Sequence, residues 1–360
     1  MNDFHYAVVV GINTYPAFPG RNLQFARDDA DNFEAWLVSP NGGGLPPKNV
    51  RKITAPPARE ATFTGADDAY PTRTDINRAL NAVTKSAKND ISADKSAWAR
   101  TRLYLYVSGH GIAPLGGEAA LLLANADEET LGENIELSLY SHWYEACGWF
   151  SEVVIFADCC REQLGGTPAA IAPPFNVCDR PYGNTIALLG YATALGGTAY
   201  EPLKVPNPDD GRGYFTRALL DGLENAFDKD ANGAVTSRSL GPYASELVTK
   251  MTKNQNVPQA IQVKTETTRV MVFRPAPPGA AAPARPKRKT VIAFPAGYTG
   301  VVELETGTFA AVDTWDATKG DWTIDLPEGL YVVKPHVPGS AVFAKDGLFP
   351  VIGRENRVQL

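Results

Sequence analysis

Cysteine, histidine and long apolar runs are all scarce in this chain. Four cysteines (Cys147, Cys159, Cys160 and Cys178) among 360 residues are too few for a disulfide framework. No C-x-x-C pair occurs, and the four histidines (His5, His110, His142 and His336) are scattered, which argues against a zinc site. No segment reaches the ~18 consecutive apolar residues that a membrane span needs. The first residues, Met1 to Tyr6, lack the basic and apolar regions of a signal peptide. Positive charge is not in excess either: the formal net charge is -6, so neither nucleic acid nor an acidic membrane is an expected partner. A cytoplasmic, reducing location is the resulting expectation, with room for one reactive thiol.

The chain does have the makings of a large core. Hydrophobic residues are 44% and charged residues 21%, as in soluble globular proteins, and 360 residues are more than one ordinary core accommodates. Residues 1–275 read as strands alternating with helices. Strands are expected at His5–Ile12, Arg102–Val107, Val153–Ala157 and Thr185–Ala192, with Arg269–Phe273 closing the sheet. Helices are expected within Asn22–Val38, where Leu23, Phe25, Ala26, Ala30, Phe33, Trp36 and Leu37 form a stripe. Ser138–Phe150, Tyr214–Phe227 and Ser239–Lys250 are the other helical segments. This alternation predicts an α/β fold, a mostly parallel sheet flanked by helices on both faces. Ala55–Thr72 and Arg161–Asn184 read as long loops. Residues 276–289 are a Pro/Ala-rich linker with a basic end. Residues 290–360 change to short alternating segments, such as Trp322–Leu326 and Tyr331–Val333, and predict a small antiparallel β-sandwich.

Two strand ends carry the chemistry. One strand stops at Ser108-Gly109-His110-Gly111; the other, about 50 residues on, stops at Asp158-Cys159-Cys160-Arg161. Ligands of open α/β sheets bind at the carboxyl ends of strands, so His110 and the cysteine pair are expected to face one another. A free thiol has a pKa of ~8.5 and needs a base to become a nucleophile near neutrality. An imidazole supplies that base and later returns the proton to the leaving amine. The backbone N–H groups of Gly111 and Cys160 are candidates for an oxyanion hole.

With these motifs the sequence resembles bacterial members of the caspase/metacaspase superfamily of cysteine peptidases. The resemblance covers about residues 5–275. It is carried by Tyr6–Asn13, Leu23–Asp31, Tyr106–Gly111 and Ile155–Cys160, then by Tyr191–Glu201, Gly213–Thr216, Asp228–Thr236 and Val257–Gln259. It implies a caspase-like fold, His110 and Cys160 as catalytic dyad, and a protein substrate. The Asp-x-Cys register selects Cys160 over Cys159. Asp158 and Asp29 line up with the pocket acids of metacaspases, which implies cleavage after Arg or Lys. Asp28 competes with Asp29 for that role. Where metacaspases have His-Ser-Gly after the nucleophile, this chain has Arg161-Glu162-Gln163, closer to animal caspases.

No cofactor is required by this chemistry. Asp228–Thr236 copies the first part of an EF-hand loop, but Ser239 stands where the bidentate Glu belongs, and a capped turn explains it more simply. The family leaves Ca2+ activation open. It also implies zymogen processing, for which Arg212 and the linker residues Arg285, Lys287, Arg288 and Lys289 are exposed basic candidates; Arg180 precedes Pro181, a poor scissile bond. A monomer is favoured, with the C-terminal module as a binding site for a regulatory partner. Trp322–Val333 resembles a segment of carboxypeptidase-regulatory-like modules. The alternative reading is a catalytically silent caspase-fold scaffold.

Overall fold

Four apolar runs in the first 191 residues lack the polar alternation of a half-exposed strand, and each becomes a strand buried on both faces. The computed structural model describes residues 2–18, 20–55, 63, 65–129, 131–168, 184–201, 212–228, 231–253, 259–265, 269–276, 287–306, 311–327, 329–335, 348–351 and 355–360. Cys178, Arg180, Arg285 and His336 lie outside the described residues, as do Val257 and Pro258. The chain divides into two compact units, Met1–Pro277 and Pro278–Leu360.

In chain order the first unit runs β1 (His5–Gly11), α1 (Ala26–Val38), β2 (Val50–Thr54), α2 (Arg73–Ala93), β3 (Arg102–Ser108), β4 (Gly111–Leu115), β5 (Ala120–Leu122) and β6 (Asn134–Glu136). It continues with α3 (Leu137–Cys147), β7 (Glu152–Asp158), β8 (Glu162–Pro168), β9 (Ile186–Tyr191), α4 (Tyr214–Asn225), β10 (Phe227–Asp228), β11 (Ala234–Thr236), α5 (Ser237–Thr252), β12 (Gln262–Thr265) and β13 (Val272–Arg274). The main sheet has the order β12-β9-β7-β3-β1-β2; all its pairs are parallel except the edge pair of β12 with β9.

Side chains two apart share a face of a strand, and this period splits the core in two. Val8, Val10, Leu103, Leu105 and Ile155 pack with Ile76 and Leu80 of α2 and Tyr140 and Tyr144 of α3. Ala7, Val9, Tyr104, Tyr106 and Phe156 pack with Phe33 and Trp36 of α1 and Leu219 and Leu223 of α4. Helices therefore cover both faces. Phe33 stacks on Tyr106 with ring centroids 4.4 Å apart; burying a side chain of this size contributes about 2–3 kcal/mol.

Several details depart from the expectations. Arg269–Phe273 does not close the main sheet: β13 joins β10 and β11 in a separate three-stranded antiparallel sheet, and β12 takes the edge. The helix α2 was not anticipated, although Ile76, Leu80, Val83, Ala87 and Ile91 recur at helical spacing behind a Thr72/Asp75 capping box. α3 stops at Gly148, whose φ of 60° ends the helix in a left-handed cap. α1 begins at Ala26 rather than Asn22, because its first turn is capped from far away. Glu201 accepts the N–H groups of Gln24 and Phe25, each at 3.2 Å, and Asn13 accepts that of Arg27 at 2.7 Å.

The second unit comprises β14 (Lys287–Ala293), β15 (Val301–Thr306), β16 (Ala311–Asp316), β17 (Trp322–Pro327), β18 (Gly329–Pro335), β19 (Leu348–Val351) and β20 (Glu355–Gln359). Sheets of order β17-β14-β20 and β16-β15-β18-β19 share a core that includes Ile292, Val302, Leu304, Trp322, Tyr331 and Val333, a small sandwich. It is not wholly antiparallel: β20 runs parallel to β14. β20 follows a strand of the other sheet, so no hairpin dictates its direction. Lys287, Arg288 and Lys289 belong to β14 and pair with β17, so the basic end of the expected linker is sheet.

Candidate active site

Register brings the two motifs together. β3 and β7 are parallel neighbours with Ser108 opposite Asp158. His110 and Cys160 each lie two residues beyond that matched pair, at the same end of the sheet. Gly109 extends the pairing, its N–H donating to the Asp158 carbonyl at 3.2 Å. Gly111 is backed so closely against the Cys159–Cys160 turn that a Cβ there would lie 2.6 Å from Cys159 Cβ and from the Cys160 carbonyl oxygen. A larger residue would push the two motifs apart.

His110 is held on three sides. Its N–H donates to Tyr15 Oη at 2.8 Å, and Tyr15 donates in turn to the Leu122 carbonyl at 3.3 Å. The Tyr15 ring lies 4.7 Å from the imidazole. Nε2 is 2.5 Å from the Arg21 carbonyl oxygen. A carbonyl only accepts, so Nε2 carries the proton, and the neutral ring keeps its lone pair on Nδ1. Burial lowers the pKa of His110; the nearby Arg21 charge acts in the same sense, and the hydrogen bond to the Arg21 carbonyl opposes both.

Cys160 is half-buried, whereas Cys159 is in the core. The Cys160 sulfur accepts the Ala199 N–H at 3.4 Å. Burial pushes its pKa up to about 11, opposed by the Ala199 N–H and reinforced by Glu162, Asp158 and Glu201. Both shifts favour the uncharged form of the group, thiol and imidazole. Arg161, 1% exposed, anchors the turn after it. Its guanidinium donates to Glu118 O at 2.8 Å, Thr193 O at 3.0 Å and Gln262 Oε1 at 2.7 Å, and lies over the Tyr191 ring.

Asp29 and Asp158 both line a small cleft that also holds His110 and Cys160. Asp29 is buried, while Asp28 turns to solvent. Asp29 accepts Ser108 Oγ–H at 3.0 Å and the Gly213 N–H at 2.9 Å. Asp158 accepts the Thr216 N–H at 3.0 Å and its hydroxyl at 2.6 Å. Glu201, which sequence reasoning missed, is a third carboxylate in the wall. It lies within the family-like segment Tyr191–Glu201, but nothing in its neighbours marks it. Among the described residues no Lys or Arg pairs with any of the three. Their pKa values all rise: Asp29 well above its ordinary range through burial and the Asp158 charge, Asp158 to about 6 through burial, and Glu201 through burial.

Among the described residues no group of three His, Cys, Asp or Glu side chains is placed to hold a metal ion. Asp228, from the EF-hand-like stretch, accepts the Thr236 hydroxyl at 2.6 Å at the start of α5; residues 229 and 230 lie outside the described residues. Among the described residues no helix is long and apolar enough to cross a membrane.

With the geometry in place, comparison adds the following. Caspase-1 from Spodoptera frugiperda superimposes with a TM-score of 0.47 at 14% identity, over 77% of this chain and 92% of that one. The chain is similar to caspases. A protein structure from Geobacter sulfurreducens has a TM-score of 0.41 at 15% identity, over 76% of this chain and 97% of that one. A probable protease from a Desulfuromonadales bacterium is 25% identical over 224 residues, 61% of this chain. The match spans 26% of that relative's length. No family model matches the chain.

Proposed function

We propose that this chain is a caspase-like cysteine endopeptidase that cleaves proteins after Arg or Lys. The observation that carries the reading is the set of three carboxylates, without a cation partner among the described residues, beside a thiol and an imidazole. An acidic pocket of this kind is costly when empty and is relieved by a cationic side chain. Such a side chain would place the next carbonyl over Cys160. It would also offset the negative charge that adds to burial in keeping the thiol protonated. Nδ1 of His110 then takes the thiol proton, and sulfur attacks the carbonyl carbon. The N–H groups of Gly111 and Cys160 stabilise the oxyanion. His110 returns the proton to the leaving amine, and water hydrolyses the thioester. The probable-protease relative and the sequence resemblance agree with this class of reaction.

The acidic cleft is only about 40 Å³, room for about one water. A guanidinium requires more, so this form is read as latent. Gly213 forms part of the wall, and a Cβ there would lie 2.4 Å from Asp158 Oδ2. Arg212 precedes it and is half-buried rather than exposed, its Nε enclosed; cleavage after Arg212 would free the wall but needs this segment to open first. That is the zymogen step we favour over the basic residues of β14, which are held in a sheet. The protein is read as a monomer that needs no cofactor. The sandwich unit is read as the seat of a regulatory partner.

Fluorogenic peptides ending in Arg, Lys or Asp test the proposal, with wild type and Cys160→Ala, intact and nicked, with calcium or chelator. Arg and Lys turnover that is absent in the variant is expected. Turnover of Asp peptides, or none at all from nicked protein, would overturn it; the latter is the scaffold outcome.

A further inference from the structure

A second cleft, of about 380 Å³, also borders His110, Gly111 and Cys160 but contains none of the three pocket carboxylates. We infer that this cleft is the subsite for the residue that follows the scissile bond, and that it selects an apolar side chain there. This rests on the peptidase reading above. A peptide lying across Cys160 with its cation in the acidic cleft must leave on the other side of the sulfur. The leaving amine must also receive its proton from His110, so the departing segment passes the imidazole. The second cleft meets both conditions.

Its walls state what it takes. Phe18, Ile112 and Leu122 are 8%, 3% and 6% exposed, and half-buried Leu131 completes an apolar floor. The volume falls within the range of about 300–1,000 Å³ usual for ligand pockets. Phe18 packs edge-on against Tyr15, ring centroids 6.3 Å apart, and Tyr15 in turn seats His110. A side chain in the cleft therefore rests on the same wall that orients the base. Among the described residues the rim carries two acids, Glu128 and Glu162, against one base, Arg21. An acidic residue after the scissile bond is repelled by this balance, and a glycine leaves the floor uncovered.

Internally quenched peptides with Arg fixed before the bond, and Leu, Phe, Gly or Asp after it, test the inference. An Arg coumarylamide, which has no residue beyond the bond, is run in parallel to test the peptidase reading alone. Leu and Phe are expected to exceed Gly in kcat/KM by about tenfold (about 1.4 kcal/mol), with Asp below Gly. In Leu131→Gln the Leu-to-Gly ratio is expected to collapse towards one. The readout is a ratio, so a variant that is partly unfolded still reports it. Equal rates for the four peptides, with the coumarylamide hydrolysed, would overturn the inference and spare the peptidase reading. No turnover of any substrate by nicked protein would overturn both.

Discussion

Asp158→Asn is expected to make the protein more stable and less active at once. Asp158 is 7% exposed and its carboxyl is raised from an ordinary 3.8 to about 6. That difference costs the folded, ionised protein about 3 kcal/mol. Because the folded pKa is the higher one, stability from this group is fully present below about pH 4 and is lost as pH rises through about 6. Asparagine keeps an oxygen for the two Thr216 donors and carries no charge. Urea unfolding should therefore show no gain for the variant near pH 4 and a gain approaching 3 kcal/mol near pH 7.5. Removing one partner of a buried charge pair typically costs 2–5 kcal/mol, so kcat/KM for Arg peptides should fall about thirtyfold or more. The reasoning fails if the stability difference is the same at both pH values, or if the variant still cleaves Arg peptides at the wild-type rate.

Glu201 separates two roles by two substitutions. Glu201→Gln keeps one oxygen, enough for only one of the Gln24 and Phe25 N–H groups, and is expected to lower Arg turnover about tenfold with a smaller loss of stability than Glu201→Ala. Glu201→Ala should also lose the cap of α1, about 1–2 kcal/mol by denaturant titration; equal stability of the two variants would refute the capping role. Alkylation of Cys160, followed by peptide mass mapping, should quicken about tenfold per pH unit through the neutral range, because only the thiolate reacts. Its plateau is expected near pH 11; a plateau below pH 7 would show a resting thiolate–imidazolium pair instead.

Much of the framework was legible in the chain itself. Apolar runs, turn residues and the periods of two and 3.6 are properties of neighbours in sequence, so β1, β3, β7, β9 and most helices fall where their patterns put them. The same patterns placed His110 and Cys160 at strand ends. What they could not carry were partnerships between distant segments. In the small sheet of β4, β5, β6 and β8, β5 and β6 have three residues each, and β8 falls inside the Arg161–Asn184 segment expected as a loop. The parallel pairing of β20 depends on which sheet its chain returns to. The choice of Asp29 over Asp28 follows from how α1 is rotated, and that rotation is set partly by a carboxylate 176 residues from Phe25. The upward shift of the thiol pKa and the narrowness of the acidic cleft likewise arise from groups that meet only once the sheet has formed. Local periodicity determined the elements and the strand ends that carry His110 and Cys160; burial and long-range hydrogen bonding, which exist only in the folded chain, decided the environment of those residues, their neighbours and the space between them.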